Sequence, residues 1–468
     1  MNMSNVVVNI DWQQLYSFAS KQAILGLCFE GIERLGKEYP NELKQNPIGK
    51  NLLMTWMGKA QLIRRQNMKV NAVAAKLYSK FRVDGLRCCI LKGQGNALMY
   101  PNPYSRTPGD IDVWVNASRK EITEYAKRHF KLEDDIRFHH LETTTDGVPV
   151  ELHFFPCSMN NPLYNARLQK CFKRNADLQC SNVVGLPNGA GDIAIPTSAF
   201  NVIYQLTHLY HHFFDEGIGM RQIIDYFLVV NDFSKNVFLD TDFSNHPVPL
   251  SKEGSTFSPS PSSSGSGDVT APSRCCICPT CPSPAGGSLT HSQALALSKR
   301  ARDVTAPSRC SEPLRSKDGG PSKVSPDCAG WDRLSIEGDN SAGSATAVTS
   351  SASTALVVVQ RELKYLGLWK FAGAVMFVLH EVLGLAEDKM IVPVDEKRGK
   401  LLLAEILDGG NFGRHFTKYA GFTHQSMGKK YFLKIWRNMH FVRFYPAEAL
   451  SEPIFRTWHF FWRMKNKK

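Results

Sequence analysis

Two aspartates separated by one residue stand in the stretch Gly109-Asp110-Ile111-Asp112-Val113-Trp114-Val115. The alternation of polar and aliphatic residues predicts a strand that carries Asp110 and Asp112 on one face and the aliphatic side chains on the other. Two neighbouring carboxylates on one face repel each other unless a cation lies between them. Oxygen ligands suit Mg²⁺, so the pair indicates a divalent metal site. The alternative is an edge strand with a solvated acidic face.

A second strand supplies a third carboxylate. Asp146-Gly147 stands between two runs of strand-forming residues and predicts a β-hairpin. In the second arm of this hairpin Glu151 and His153 share one face. A third acid on a strand beside the aspartates is what a two-metal phosphoryl-transfer site requires. We therefore expect Asp110, Asp112 and Glu151 to be both metal ligands and catalytic residues.

A glycine-rich turn precedes the acidic strand. The run Arg87–Leu91 predicts a short strand that leads into Lys92-Gly93-Gln94-Gly95, and a helix is expected to follow from Asn96. Glycines between a strand and a helix let backbone amides approach a phosphate at the positive end of the helix dipole. A proline-rich loop then brings Arg106 close to the acidic strand. We expect the amides of Gly93, Gln94 and Gly95 to hold nucleotide phosphates, with Lys92 and Arg106 supplying positive charge.

The order of these motifs resembles the nucleotidyltransferase superfamily, and more closely a bacterial family of uncharacterised nucleotidyltransferases. This resemblance implies the catalytic fold of DNA polymerase β, two Mg²⁺ ions and an NTP substrate, and it makes Arg221 a further candidate for nucleotide binding. One departure is Lys92-Gly93, where the wider superfamily usually has Gly-Ser. The resemblance covers roughly residues 1–230 and 357–468, and the matching segments are Leu91–Gly95, Tyr100-Pro101 with Arg106, Gly109–Asp112, Val150–His153, His208–His212 and Gly219–Gln222 with Asp225.

Further along the chain, His208, His211 and His212 have the spacing of residues on one face of a helix. Without a clear distant ligand they are a weak zinc signal. They are expected either to line the acceptor pocket or to be ordinary buried histidines. Arg221 and Asp225 are one helical turn apart, so they either pair with each other on the helix surface or leave Arg221 to bind the nucleotide.

The pattern of apolar residues predicts an α+β fold, in which a small mixed sheet is embedded in a mostly helical protein. Helical periodicity is present over 11–36, 51–82, 196–230 and 357–385, and Ser118 with Glu121 predicts a capping box. We expect an N-terminal helical region at 1–82, a nucleotidyltransferase α/β core at 83–156, a helical region at 157–235, a low-complexity insertion at 236–355 and a basic helical region at 356–468.

The predicted insertion differs in composition from the rest of the chain. Ser258–Gly267 contains only serine, proline and glycine, and the eight residues that begin at Asp268 recur from Asp303. Such sequence buries too little apolar surface to fold, so we expect disorder and assign no function. Four nearby cysteines lack a second pair at useful spacing, which makes them a weak metal signal.

The net charge is +13, and Lys429–Lys468 contributes +8 of it. A basic region suits a nucleotide or RNA partner, and equally a solvated helix face. We expect its aromatic residues to be core rather than a base-stacking surface. The N-terminus lacks the pattern of a signal peptide, and the apolar segment 372–385 is too short to span a bilayer. A cytoplasmic protein with no membrane partner is therefore expected.

Together these features predict a Mg²⁺-dependent nucleotidyltransferase that moves a nucleoside monophosphate from an NTP to a hydroxyl acceptor and releases pyrophosphate. The acceptor is open among a small molecule, a sugar, a protein and an RNA end. One alternative is a non-catalytic nucleotide-binding module, which the unusual Lys92-Gly93 favours. Another is an RNA-modifying or toxin-type nucleotidyltransferase, which the basic C-terminal region favours.

Overall fold

A four-stranded sheet carries the acidic residues and organises the fold. The computed structural model describes residues 3–133, 137–236, 355–416 and 427–466. Strand β2 runs parallel to β4 and antiparallel to β1, and β3 pairs antiparallel with β4, so the sheet is mixed as predicted. The strands are β1 (Cys88–Leu91), β2 (Ile111–Val115), β3 (His140–Thr145) and β4 (Val148–His153), in the order β1-β2-β4-β3.

Helices surround this sheet, which confirms the predicted α+β class. A second, two-stranded sheet of β5 (Val183–Leu186) and β6 (Gly191–Ala194) lies within the region expected to be helical. The helices before β2 are α1 (Met3–Val8), α2 (Trp12–Lys21), α3 (Leu25–Glu38), α4 (Pro40–Gln45), α5 (Lys50–Val83) and α6 (Gly93–Ala97). Those that follow are α7 (Arg119–His129), α8 (Pro162–Ser181), α9 (Ser198–Asp215), α10 (Met220–Asn236), α11 (355–365), α12 (Trp369–Leu383), α13 (Glu396–Gly409), α14 (Met427–Met439) and α15 (Pro446–Asn466).

Local sequence signals define several element boundaries. Asp146 and Gly147 both have positive φ, of 51° and 71°, and form the two-residue turn between β3 and β4. Ser118 and Glu121 form a capping box at the start of α7. The hairpin, the capping box and the long helix predicted at 51–82 are therefore confirmed.

The single helix predicted over 11–36 is wrong, because the chain breaks between α2 and α3. Ala23 at the break has a φ of 56°. The buried side chain of Gln22 donates a hydrogen bond to the carbonyl of Ile406 and accepts one from the amide of Met220. These contacts with distant residues hold the chain in the break, and no glycine or proline marks it in the sequence.

The two faces of the main sheet pack against different helices. Ile111, Val113 and Val115 are buried in a core that includes side chains of α5 and α7. On the other face Trp114 stacks on Phe200 of α9, with 5.9 Å between the ring centroids. Because side chains alternate along a strand, Asp112 shares the Trp114 face and lies on the α9 side of the sheet.

Residues 355–466 complete the core around α9. Phe213 of α9 packs against Phe441 with 4.5 Å between the ring centroids, and Tyr210 contacts Phe371 of α12 at 4.8 Å. The carboxylate of Glu448 accepts hydrogen bonds from two backbone amides in the segment before α8. One hydrophobic core therefore draws on both sides of residues 237–354. The predicted insertion lies, except for its end residues, outside the described residues.

The aromatic residues of the C-terminal region divide between core and surface. Phe441 is 1% exposed, whereas Trp436 and Phe461 are 65% and 58% exposed. The expectation that they are mainly core therefore holds for only part of the set. Among the described residues, no helix combines the length and hydrophobicity needed to cross a bilayer.

Candidate active site

A cavity of about 620 Å³ opens on the α9 side of the sheet. His208, His211 and His212 of α9 line this cavity; that they contact an acceptor stays a prediction. The structure thus brings most of the predicted site to one place. Seven of the nine predicted site residues line the cavity: Lys92, Gly93, Arg106, Asp110, Asp112, Glu151 and Arg221.

The pairing of β2 with β4 brings Asp112 and Glu151 together. Their Cα atoms are partners in the parallel register. The side chain of Asp112 is 1% exposed and that of Glu151 is 23% exposed. Burial raises the pKa of the Glu151 carboxyl, and the negative charges of Asp112 and Asp110 raise it further. The hydrogen bond from His153 lowers this pKa but does not cancel the rise. Asp110 precedes the first residue of β2 and is half-buried at the wall of the same cavity.

His153 lies between the two carboxylates, and the sequence had given it no role. Its Nε2 is 3.0 Å from Oδ1 of Asp112 and 3.0 Å from Oε2 of Glu151. Burial lowers the pKa of His153, but the hydrogen bonds to Asp112 and Glu151 outweigh it and raise the pKa to about 9. The only signal in the sequence is that His153 shares a strand face with Glu151.

Lys92 supplies a second positive charge to Asp112. Its Nζ lies 3.0 Å from Oδ1 of Asp112 and 3.1 Å from Nε2 of His208. Burial lowers the pKa of Lys92, but Asp112, Asp110 and Glu151 together raise it above its ordinary value. The backbone of Lys92 has a φ of 41°, which residues other than glycine rarely adopt. Such strained backbone is common at functional sites.

Asp112 keeps one oxygen for a further partner. Its Oδ2 is buried and has no hydrogen-bond partner among the described residues, which is unfavourable for a carboxylate oxygen. The candidate ligand atoms of Asp112, Glu151 and His153 lie within 4.8 Å of one another. Asp110 is outside that group, although it lines the same cavity. This donor set fits a divalent cation.

Arg106 is held by an acid from α10. Its Nε and Nη2 each lie 2.8 Å from an oxygen of Asp225, and the hydroxyl of Tyr100 donates to the same carboxylate at 2.7 Å. Burial lowers the pKa of Arg106, but Asp225 outweighs it and raises the pKa above its ordinary value. The alternative in which Asp225 pairs with Arg221 is wrong, because Arg106 takes both carboxylate oxygens.

Arg221 therefore lines the cavity without a hydrogen bond to the carboxylate of Asp225. Its Nη1 donates to the carbonyl of Thr107 at 3.1 Å, and its buried Nε has no hydrogen-bond partner among the described residues. Burial and the charge of Arg106 lower the pKa of Arg221. A guanidinium in this state favours an anionic ligand, as the sequence suggested for Arg221.

Fewer residues of the glycine-rich turn line the cavity than expected. Gly93 lines the cavity, whereas the side chain of Gln94 is buried and bonds to Asn71. A Cβ on Gly95 would come within 2.9 Å of Cγ2 of Ile195, so Gly95 allows α6 to pack closely. The amide of Gly95 donates to the carbonyl of Lys92 at 3.0 Å. Of the three residues whose amides were expected to hold phosphates, Gly93 alone lines the cavity, together with the neighbouring Lys92.

The histidines of α9 line the cavity as uncharged side chains. Burial is the main cause that lowers the pKa of His208 and His211, and it lowers that of His212 to about 3. They do not form a three-ligand metal group within the described part of the chain. His139, His140 and His153 of the sheet do form one. Sequence reasoning missed His139 and His140 because their nearness to His153 depends on strand pairing.

Comparison with known proteins agrees with the motif order. The model of a family described as uncharacterised nucleotidyltransferase matches residues 9–243, half of this chain, and this range contains all nine predicted site residues. No curated protein matches. Among solved structures, an antigenic nucleotidyltransferase-like protein from Paracoccidioides brasiliensis is 17% identical over 34% of this chain and 75% of that chain, with a TM-score of 0.24. At that TM-score the likeness is too weak to support a conclusion.

Proposed function

Because the chain belongs to the family of uncharacterised nucleotidyltransferases, we propose that it moves a nucleoside monophosphate from an NTP to a hydroxyl acceptor and releases pyrophosphate. The observation that carries this proposal is the pairing of Asp112 with Glu151 across β2 and β4 at the wall of the 620 Å³ cavity. A cavity of this size is in the range of small-molecule sites.

Asp110, Asp112 and Glu151 are the proposed ligands for two Mg²⁺ ions. The unpartnered Oδ2 of Asp112 supports this role, because a bound cation would satisfy it. When bound, such ions offset negative charge on the attacking and leaving oxygens. Glu151 also accepts the proton of the acceptor hydroxyl, at Oε1, the oxygen that His153 does not contact. A general base works best when its pKa is near the operating pH, so the raised pKa of Glu151 suits it to this role better than an ordinary carboxylate.

Positive groups that line the same cavity orient the triphosphate. Arg221 offers a guanidinium with an unpartnered Nε, and Gly93 allows close approach of the backbone. The guanidinium of Arg106 is paired with Asp225. Arg106 therefore holds the cavity wall in position and does not itself bind the triphosphate. Lys92 keeps Asp112 ionised and in place until the nucleotide arrives. Holding the reactants in line supplies much of the rate in phosphoryl transfer.

A transfer assay tests this proposal. The purified protein is incubated with each of the four α-³²P-labelled NTPs, a divalent cation and cell extract, and both labelled product and pyrophosphate are measured. We expect Asp112→Asn to lower transfer by about 10²-fold or more, because a group that stabilises developing charge is lost. The matched control is Asp177→Asn, at an exposed carboxylate that pairs with Arg87. Absence of transfer with every NTP, or equal rates in the two variants, contradicts the proposal.

One observation favours a second candidate, a nucleotide-binding module without turnover. Lys92 and His153 already pair with Asp112 in this structure, so Oδ1 of this carboxylate has positive partners without a metal. Isothermal titration with NTP, combined with a pyrophosphate assay, distinguishes the two functions. Saturable binding without pyrophosphate release in the presence of any extract supports the module.

The contacts of the basic C-terminal region argue against RNA as the acceptor. Lys434 and Arg456 both pair with Asp215, at 2.9 and 2.8 Å, and Arg437 lies 3.3 Å from Glu405. These three basic residues are therefore engaged inside the protein. A small-molecule, sugar or protein hydroxyl is the acceptor class that we favour.

A further inference from the structure

Residues able to bind a metal form a continuous row across strands β2, β4 and β3. In the observed register Glu151 lies between Asp112 and Glu142, and His153 lies beside His140. Residues two apart on one strand, and direct partners on neighbouring strands, project from the same face. The pairing of the strands therefore places imidazole and carboxylate side chains next to each other at the acidic site.

The distances at His153 match those between neighbouring ligands of one ion. Two ligands at right angles around an octahedral ion, each at about 2.1 Å, are roughly 3.0 Å apart. Nε2 of His153 lies 3.0 Å from Oδ1 of Asp112 and 3.0 Å from Oε2 of Glu151. His153 therefore has the spacing of a neighbouring ligand to each carboxylate, and the ligand atoms of the three residues lie within 4.8 Å of one another.

Two atoms of this row lack a partner in the described part of the protein. Oδ2 of Asp112 and Nδ1 of His153 are buried without a hydrogen bond among the described residues, whereas Nδ1 of His140 lies 3.2 Å from Oε2 of Glu151. The side chains of Asp112, His153 and His140 are 1%, 3% and 5% exposed. His140 lies beyond Glu151 and can form a second three-ligand group with Glu142 and Glu151. Unsatisfied donors and acceptors at this density indicate a missing ligand.

We propose that Nε2 of His153 is a metal ligand together with Asp112 and Glu151, and that this position prefers a first-row transition ion to Mg²⁺. The ion replaces the Nε2 proton that the two carboxylates hold in the metal-free protein, and this proton is released to solvent on binding. Mg²⁺ favours oxygen ligands and exchanges its water reluctantly, whereas imidazole suits the transition ions. Mn²⁺ accepts carboxylates as Mg²⁺ does and follows the same affinity series as the later metals. The inference rests on the cation site of the proposed function and not on the transfer reaction.

Pulsed electron paramagnetic resonance tests the inference directly. Metal-free full-length protein is loaded with Mn²⁺, and nuclear modulation is recorded for unlabelled protein and for protein with ¹⁵N-labelled histidine. We expect a directly coordinated nitrogen whose signal changes with the isotope. His153→Gln should remove this signal and weaken Mn²⁺ binding by about tenfold or more, with a smaller effect on Mg²⁺ binding. The control His211→Gln, at another histidine of the cavity wall, should keep the signal.

Other outcomes overturn the inference. If the nitrogen signal is lost in His140→Gln but kept in His153→Gln, the metal ligand is His140 on β3 and not His153 on β4. Mn²⁺ binding without nitrogen coupling in the labelled wild type would show an all-oxygen site, and this experiment needs no variant to fold. Nitrogen coupling without nucleotidyl transfer would contradict the proposed function alone. Transfer without nitrogen coupling would contradict the ligand assignment alone.

Discussion

At the scale of single residues, local patterns predicted the acids but not their partners. Strand alternation is sufficient to select Asp112 and Glu151, because it depends only on neighbouring positions. The contact of Glu151 and His153 with Asp112 needs β2 and β4 to pair in parallel, and no local pattern contains that information. The same is true of Arg106 and Asp225, which lie 119 residues apart in the chain. Their pairing also explains why Arg221 remains available.

The contact between Lys92 and Asp112 makes protein stability depend on bound cations. Lys92→Met leaves a nearly fully buried carboxylate with His153 as its remaining positive neighbour. Removing one partner of a buried ion pair is strongly destabilising, so we expect the free energy of unfolding in chelator to fall by about 3 kcal/mol. Urea unfolding with and without Mn²⁺ measures this, and the added ion should restore more stability in the variant than in the wild type.

Lys76→Met is the control for this prediction. Lys76 pairs with Asp146 at 2.7 Å, but both side chains are more than half exposed. An exposed pair contributes at most about 1 kcal/mol, so this variant should unfold like the wild type at any metal concentration. Equal losses in the two variants, or no recovery of Lys92→Met with metal, would show that Lys92 does not stabilise the acidic site.

At the scale of elements, the sequence predicted those boundaries that local chemistry defines. The Asp146-Gly147 turn and the Ser118 cap use residues whose own side chains or backbone preferences form the feature. The break between α2 and α3 is different, because Gln22 is held there by Ile406 and Met220. The β5–β6 sheet was also missed, since its four-residue strands contain Gly185 and Gly191, and glycine is depleted in strands. Strand β1 is equally short but apolar throughout, so it could be recognised.

Helix α9 is expected to make the protein sensitive to mild acid. Burial lowers the pKa of His208, His211 and His212 in the folded protein, whereas unfolded histidine titrates near about 6.5. The unfolded state therefore binds more protons below about pH 6.5, and stability falls as pH falls. Each such histidine contributes a slope of about 1.4 kcal/mol per pH unit.

Urea midpoints measured between pH 8 and pH 5, at fixed ionic strength, test the prediction for α9. Below about pH 6.5 the wild type should lose stability steeply, whereas between pH 8 and pH 6.5 the raised pKa of His153 gives a slope of the opposite sign. His212→Gln removes one titrating group, so its midpoint should fall less steeply over the same range. A midpoint that is constant down to pH 5, or an unchanged slope in His212→Gln, would mean that these histidines are protonated in the folded protein.

At the scale of the whole molecule, the proposed catalytic core at 83–156 does not contain the whole site. His208 and Arg221 line the cavity from α9 and α10, and α9 in turn packs on helices beyond residue 355. The main core includes residues from Trp12 to Phe233 together with residues from Ala355 to Ala449. Composition alone set residues 236–355 apart from the rest of the chain in the sequence prediction, but composition does not reveal which regions pack against each other.

Two shortened chains should therefore behave in opposite ways. Deletion of residues 251–353 removes no member of the described cores, and loop-closure entropy changes by only about 0.6 kcal/mol for each doubling of length. We expect its melting temperature to stay within a few degrees of the full-length value. Truncation after residue 243 removes Phe371, Phe441 and Tyr445, which pack around Phe213, and should abolish cooperative melting.

Calorimetry of the full-length, deleted and truncated proteins measures both effects, and Mn²⁺ binding reports on the site. A cooperative melt of the truncated chain at the full-length temperature would show that the segment matched by the family model folds alone. A large fall in melting temperature on deletion would show that residues 251–353 stabilise the fold.

The division of the core between two distant chain segments has a consequence during synthesis on the ribosome. The aromatic face of α9 is complete early, but its partner Phe441 is added more than 200 residues after Phe213. At about 5–20 residues per second, that face waits roughly 10–45 s for Phe441. Over this interval Phe441 is absent from the aromatic face formed by Tyr210, Phe213 and Phe214, so the yield of the protein should depend on chaperones that act before translation ends.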